Sequence, residues 1–297
     1  MNNIYLSYDQ PEGESLLQFG AGNGKLDDTI NTFALPAGWT CPGASKCLAK
    51  ADRKTGRITD GDGQKFRCFA AMGETYQVAK RAALWNNFDR LKAAAAGLSG
   101  PLAAEAMAQL ILQSMPQRPR TVGLAVPHGD GHRVYKRIIR LHVGGDFFSQ
   151  DYFDAWVRVA QECPDTLFYG YTKSLRYWVA RLGTLPPNFV LTASYGGRHD
   201  RLISRHGLRF ARVVFSVRQA EKHGLQLDHD DSHAMRADGL SFALLVHGSQ
   251  KAGSPAAKAL ATLRAGGEFG YGKLANKRRE AAAREARTTR FALPTLN

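Results

Sequence analysis

Cys41, Cys47 and Cys68 are spaced C-x5-C, with twenty residues before the third. Three thiolates can hold three irons of a [4Fe–4S] cluster and leave the fourth iron open; with a histidine they would instead hold zinc. Neither the zinc-ribbon nor the ferredoxin spacing is present, and unmetallated buried thiols are the third reading. Cys163, in Glu162-Cys163-Pro164 at the end of an expected helix, is read as incidental. A second constellation is Asp228-His229-Asp230-Asp231-Ser232-His233. Carboxylates and imidazoles this dense suit a divalent metal or acid/base work on a polar substrate; the plain alternative is a solvated acidic loop. Asp146, Lys173, Ser194 and His247 are the remaining candidates. Lys173 would neutralise a phosphate or carboxylate, or be activated by burial. A strand histidine such as His142 or His247 is more often a hydrogen-bonded core residue than a ligand.

These residues need elements to position them. In Ile138 to Gln150, alternation puts Ile139, Leu141 and Val143 on one face of a strand. The strand runs into Gly144-Gly145-Asp146, a turn that lets backbone approach a ligand. Ser149 then caps a helix whose apolar positions are Tyr152, Phe153, Trp156, Val157 and Ala160. Strands are predicted near 138–143, 166–171, 188–193, 211–216 and 241–246. Helices are predicted near 74–95, 101–115, 150–162, 174–182, 198–206 and 254–265. Ser174 and Ser254-Pro255 serve as start signals.

Apolar strands alternating with helices give parallel βα units. Five strands are too few to close a barrel of eight, so the fold is expected to be α/β, an incomplete (β/α) barrel or a curved, mostly parallel sheet. Residues 1–70 read as irregular, and 116–133 as a loop or short hairpin. One domain over 1–270 is expected, with 1–133 packed on a βα core at 134–270, and 271–297 as a basic tail. Each predicted strand ends in a polar or glycine-rich cluster: Gly144-Gly145-Asp146, Tyr171-Thr172-Lys173-Ser174, Ser194 to Asp200, Ser216-Val217-Arg218, and His247 to Lys251. Parallel strands would bring all five to one mouth. Tyr169, Tyr171, Tyr177, Trp178 and Tyr195 add aromatic faces there, to stack bases or to fill the core.

The 297 residues carry a formal net charge of +14, with a pI near 9.8. That balance points to a polyanionic partner, most simply nucleic acid, through basic regions 118–140 and 273–290. No apolar run reaches a membrane span, so no membrane partner is expected. The first residues lack the pattern of a signal peptide, which predicts a cytoplasmic protein with reduced thiols.

Several motifs together resemble a family of phage and plasmid proteins, gene-product-eighty-eight-like. They are Thr40-Cys41-Pro42-Gly43-Ala44 with Cys47, Phe66-Arg67-Cys68-Phe69-Ala70-Ala71, the segment from His142 to Phe153, Tyr171-Thr172-Lys173-Ser174, Asp230-Asp231-Ser232-His233-Ala234, and Val246-His247-Gly248-Ser249-Gln250. The likeness covers roughly residues 20–265 and implies a mobile-element protein. A more distant similarity is to radical S-adenosylmethionine enzymes. It implies a partial barrel, a three-cysteine cluster, and a Gly144-Gly145-Asp146 turn binding the methionyl amine. Asp stands where that family has Glu, and the C-x3-C-x2-C spacing is absent.

Three functions follow as expectations. The first is an iron–sulfur enzyme acting on nucleic acid or a nucleotide-derived group, its pocket lined by Asp146, Lys173, Ser194, Asp231, His233 and His247. The second is a divalent-metal nuclease or nicking protein using Asp146 with the Asp228–His233 run. The third is a non-enzymatic nucleic-acid-binding protein with structural cysteines.

Overall fold

Alternation in the sequence turns into an open sheet. The computed structural model describes residues 16–23, 25–116, 124–128 and 131–267. Its first elements are two short strands, β1 (Gly20–Ala21) and β2 (Asn31–Thr32), and a hairpin of β3 (Ala49–Ala51) and β4 (Ile58–Asp60). Three helices follow, α1 (Phe69–Tyr76), α2 (Val78–Ala94) and α3 (Gly100–Ser114), and then a second hairpin of β5 (Leu124–His128) and β6 (Gly131–Tyr135). From β7 (Arg137–Leu141) strands and helices alternate: α4 (Gln150–Glu162), β8 (Thr166–Thr172), α5 (Leu175–Val179), β9 (Phe189–Ser194), α6 (Arg201–Arg205) and β10 (Phe210–Val214). The series continues with α7 (Val217–Lys222), β11 (Gln226–Leu227), α8 (Ser232–Met235), β12 (Phe242–Leu245) and α9 (Pro255–Ala265).

Eight strands form one sheet in the order β1-β2-β7-β8-β9-β10-β12-β11. Every pairing is parallel except β1 with β2. No described pairing joins the two edges, so among the described residues the sheet is open and mostly parallel, with no closed barrel. The five predicted strands are β7, β8, β9, β10 and β12. The predicted irregular region supplies β1 and β2, and the latter extends the sheet beside β7. The expected helix at 74–95 is two helices meeting at Gln77, and the hairpin alternative at 116–133 is borne out by β5 and β6.

Successive strand residues point to opposite faces. Ile139, Leu141, Phe168, Leu191 and Ala193 pack with Met107 and Ile111 of α3 and Phe153 and Trp156 of α4. Ile138, Leu167, Tyr169, Val190, Ala211 and Phe242 form a second cluster with Ala234 of α8. Burying each large apolar side chain contributes about 2 kcal/mol. Ser149 caps α4 as expected, its Oγ accepting from the Tyr152 amide at 3.1 Å, and Ser254 caps α9 through the Ala257 amide at 3.2 Å. Ser174 does not cap α5; its hydroxyl donates to the Phe147 carbonyl at 2.7 Å. The result ties the start of α5 to the end of β7 and fixes two strand-end loops to each other. Arg118, Arg120 and the basic stretch 273–290 lie outside the described residues. No described helix is long and apolar enough to cross a membrane.

Candidate active site at the strand mouth

Parallel pairing puts the carboxyl ends of β7, β8, β9, β10 and β12 on one edge of the sheet, and the cysteine loop lies across that edge. The Leu35 amide donates to the Gly144 carbonyl at 2.9 Å, and the Lys46 amide to the Gly196 carbonyl at 3.1 Å. The Arg198 amide donates to the Gly43 carbonyl at 2.9 Å, and Ala44 bridges to Gly197. Gly43 lies so close to β8 that a Cβ there would overlap the Lys173 carbonyl. The loop after β12 grips the segment around Cys68 from the other side. Gln250 Oε1 accepts from the Arg67 amide at 2.7 Å, and the His247 ring lies 4.5 Å from that of Phe69. Four strand-end loops therefore meet one thiol-bearing segment.

The residues Cys41, Cys47 and Cys68 are half-buried. Burial of the thiol pushes Cys41 well above its ordinary pKa, and Asp146, Cys68 and Cys47 push it further. Its sulfur also accepts from the Gly38 amide at 3.3 Å. Burial, followed by Cys47, lifts Cys68 to about 12. The three cysteines thus act on one another, although among the described residues no three His, Cys, Asp or Glu side chains are grouped so as to hold a metal ion. Neighbouring thiolates repel one another, and a soft cation is what offsets that repulsion. At neutral pH the raised pKa values keep Cys41 and Cys68 as protonated thiols, and sulfur donors of this kind are the type a soft metal takes once deprotonated. Burial raises the pKa of Cys163, with Arg137 and Glu162 as its charged neighbours.

Asp146 and Lys173 are brought together beneath this loop, both nearly buried. The Asp146 carboxylate accepts from Thr172 Oγ1 at 2.6 Å, the Lys173 amide at 2.7 Å and the Phe147 amide at 2.8 Å. Burial still lifts its pKa to about 6 against those bonds. Lys173 Nζ donates to the Ser194 carbonyl at 2.6 Å, Ser194 Oγ at 2.9 Å and the Tyr195 carbonyl at 3.0 Å. One carboxylate and one ammonium thus lock the ends of β7, β8 and β9 together. Gly145 (φ +79°) is roofed, since a Cβ would lie 2.5 Å from Thr40 Oγ1 and 2.7 Å from Leu35 Cβ. His142 belongs to the core, its Nε2 lying 3.1 Å from Tyr152 Oη.

The Asp228–His233 run is not a solvated loop. Asp231 is fully buried, in the left-handed region with φ +64°. Its carboxylate pairs with Lys25 and, at 2.8 Å, with Arg140. It also accepts from Tyr171 Oη at 2.9 Å and Tyr169 Oη at 3.2 Å. Burial would raise its pKa, but Arg140 and Lys25 outweigh burial and hold it at about 2. Asp228 lies 3.6 Å from Lys25 and 3.4 Å from His233 Nδ1. The hydroxyls of Tyr169 and Tyr171 are therefore engaged in this network. His247 borders it; burial, with Lys25 and Arg140, lowers its pKa to about 4. Asp146 holds Thr172, whereas Asp231 holds Tyr171, so the two carboxylates reach β8 from opposite faces. The described hydrogen bonds of Asp146 go to Thr172, Lys173 and Phe147, and none of them reaches the Asp228–His233 run with which it is expected to share a metal.

Residues 10–266 match the family described as Gene product 88. The chain belongs to the gene product 88 family. It is 26% identical over 145 residues to the Gene 88 protein of Mycobacterium phage L5, covering 48% of this chain and 47% of that one. The same figures hold for the Gene 88 protein of Mycobacterium phage D29. The chain thus spans about half the length of the curated relatives it matches. No solved structure matches.

Four residues of this gene product 88 protein escaped sequence reasoning as site groups: Glu74, Lys80, Lys25 and Arg140. Glu74 is fully buried in α1, its Oε1 accepting from the Ala37 amide at 2.9 Å and its Oε2 without a partner. Burial lifts its pKa to about 7. Burial lowers that of Lys80, while Glu74 and Cys68 hold it up. A lone Glu or Lys on a helix carries no sequence signal of burial. Arg140 alternates with Ile139 and Leu141, which does place it on the opposite face.

Proposed function

We propose that this phage-type protein is an iron–sulfur enzyme of a mobile element, with Cys41, Cys47 and Cys68 holding the cluster over the strand mouth and nucleic acid or a nucleotide-derived group as substrate. The single observation behind the reading is that Cys41, Cys47 and Cys68 act electrostatically on one another in a segment laid across the carboxyl ends of the parallel strands. The cluster would supply electron or Lewis-acid chemistry that side chains lack. The protein's part is to orient and shield. Lys173 and Asp146 fix the floor by joining three strand ends, Phe69 and His247 close one wall, and Glu74 stands beside Cys68 able to hold a proton near neutral pH. The Gly144-Gly145-Asp146 turn offers no open cradle for S-adenosylmethionine, because Leu35, Thr40 and Ala70 pack against it and both Asp146 oxygens are engaged. The nuclease reading is weaker, since Lys25 and Arg140 already neutralise the carboxylates it needs.

Elemental analysis after anaerobic purification tests the proposal. Iron and acid-labile sulfide are expected in wild type and in Cys163→Ala, and are expected to be lost in Cys41→Ala. Zinc in place of iron would make the thiols a structural site, and protein with neither metal would end the reading.

A further inference from the structure

Beside the thiol loop lies a group of cations that the mouth itself does not use. Arg176 on α5, Arg198 in the loop after β9 and Arg201 on α6 are exposed, with His199 half-buried among them. The two helices are neighbours. Among the described residues none of these three arginines forms an ion pair. The adjacent Asp200 is already engaged, its carboxylate accepting from the Gly196 and Gly197 amides at 2.9 and 2.8 Å. Burial and then Arg176, Arg201 and Arg198 lower the pKa of His199, so the positive charges act on one another. Arg198 is anchored to the thiol loop, its Nε donating to the Ala44 carbonyl at 3.1 Å. Lys46, between Cys41 and Cys47, reaches over the Tyr195 ring at 5.8 Å, and Arg212 over the same ring at 3.9 Å. Clustered like charges cost free energy in the unliganded protein, and a polyanion offsets that cost.

We propose that Arg176, Arg198, Arg201 and Lys46 form a phosphate-contacting rim that seats the backbone of a single-stranded nucleic acid beside the thiol loop. The substrate class rests on the function proposed above; the rim itself stands on the charges. A single strand is favoured because chemistry on a base inside a roofed mouth needs that base already unstacked. The net charge of +14 supplies the long-range attraction, while the rim fixes where the phosphates settle.

Fluorescence anisotropy with a short labelled oligothymidylate tests this on the full chain. The double variant Arg176→Gln/Arg201→Gln is compared with Lys258→Gln/Arg264→Gln on α9, which removes equal charge from an exposed face elsewhere. Unchanged thermal midpoints confirm that both fold. The rim variant should lose about tenfold in affinity near ~100 mM salt, and its log–log salt slope should fall by roughly 1.4, about 0.7 for each of two contacts. A loss no larger than the α9 control overturns the rim, as does competition by ATP or inorganic phosphate as effective per phosphate as the oligonucleotide. Tighter binding of the corresponding duplex overturns the single-strand assignment. Iron content is read in the same preparations. Iron absent with rim-dependent binding intact strikes the enzyme reading alone; iron present with binding unaffected by the rim strikes this inference alone.

Discussion

Glu74 and Asp231 are both fully buried carboxylates, and burial ends differently for each. Glu74 receives one amide hydrogen bond, with Lys80 and Arg81 acting from further off, so desolvation prevails and its pKa rises from 4.5 to about 7. The folded state then binds this proton more tightly than the unfolded chain does. Its stabilising contribution is full below about pH 4.5 and is lost as pH climbs through about 7. The loss amounts to about 3 kcal/mol at most. Glu74→Gln keeps the acceptor for Ala37 and removes the ionisation. Urea midpoints should show the variant more stable than wild type at pH 8 and about equal at pH 5. A variant less stable at pH 8 would mean that the ionised Oε2 has a cationic partner.

At the scale of elements, the thiol loop depends on close backbone approach. Gly43→Ala puts a methyl group into the Lys173 carbonyl, which must lift the loop from β8 or displace the end of the strand. A cost of about 2 kcal/mol or more is expected, with faster modification of Cys41 and Cys47 by a thiol reagent. Gly131→Ala, where nothing lies within 4 Å of the added carbon, should change neither. How much of this was legible in the sequence follows from the range of each signal. Alternation and caps are local, so β7, β8, β9, β10, β12, α4 and α9 stand where the residues placed them. The strands β1, β2 and β11 have two residues each, too few for alternation to register, and α8 has four. The C-x5-C spacing named the thiols but not their roof; Gly43, Gly145 and Gln250 gain meaning only when distant strands meet. Ser174 looked like a cap because its type suits one, yet the Phe147 carbonyl, remote in sequence, won its hydroxyl.

Across the whole molecule, the Asp231 network joins parts of the chain that no single hairpin connects. Lys25 precedes β2, Arg140 lies on β7, Tyr169 and Tyr171 on β8, Asp228 and Asp231 follow β11, and His247 follows β12. Breaking one partner of such a buried set leaves charge without compensation, at a cost of about 3–5 kcal/mol. Asp231→Asn isolates that charge, because asparagine tolerates the left-handed backbone that Asp231 adopts. The variant should unfold at markedly lower urea near pH 7, in one transition reported alike by Trp fluorescence and circular dichroism, since the network spans the sheet. The pH course has a definite sign. The folded pKa of Asp231 lies at about 2, below its ordinary 3.8, so the stabilisation is present above about pH 4 and lost as pH falls through 2. The deficit of Asp231→Asn should therefore narrow on acidification across that window. Millimolar Mg²⁺ or Mn²⁺ should leave the wild-type midpoint unmoved, because Lys25 and Arg140 already occupy the cation positions around the carboxylate. A metal-dependent rise that disappears in Asp231→Asn would instead return these acids to the nuclease reading.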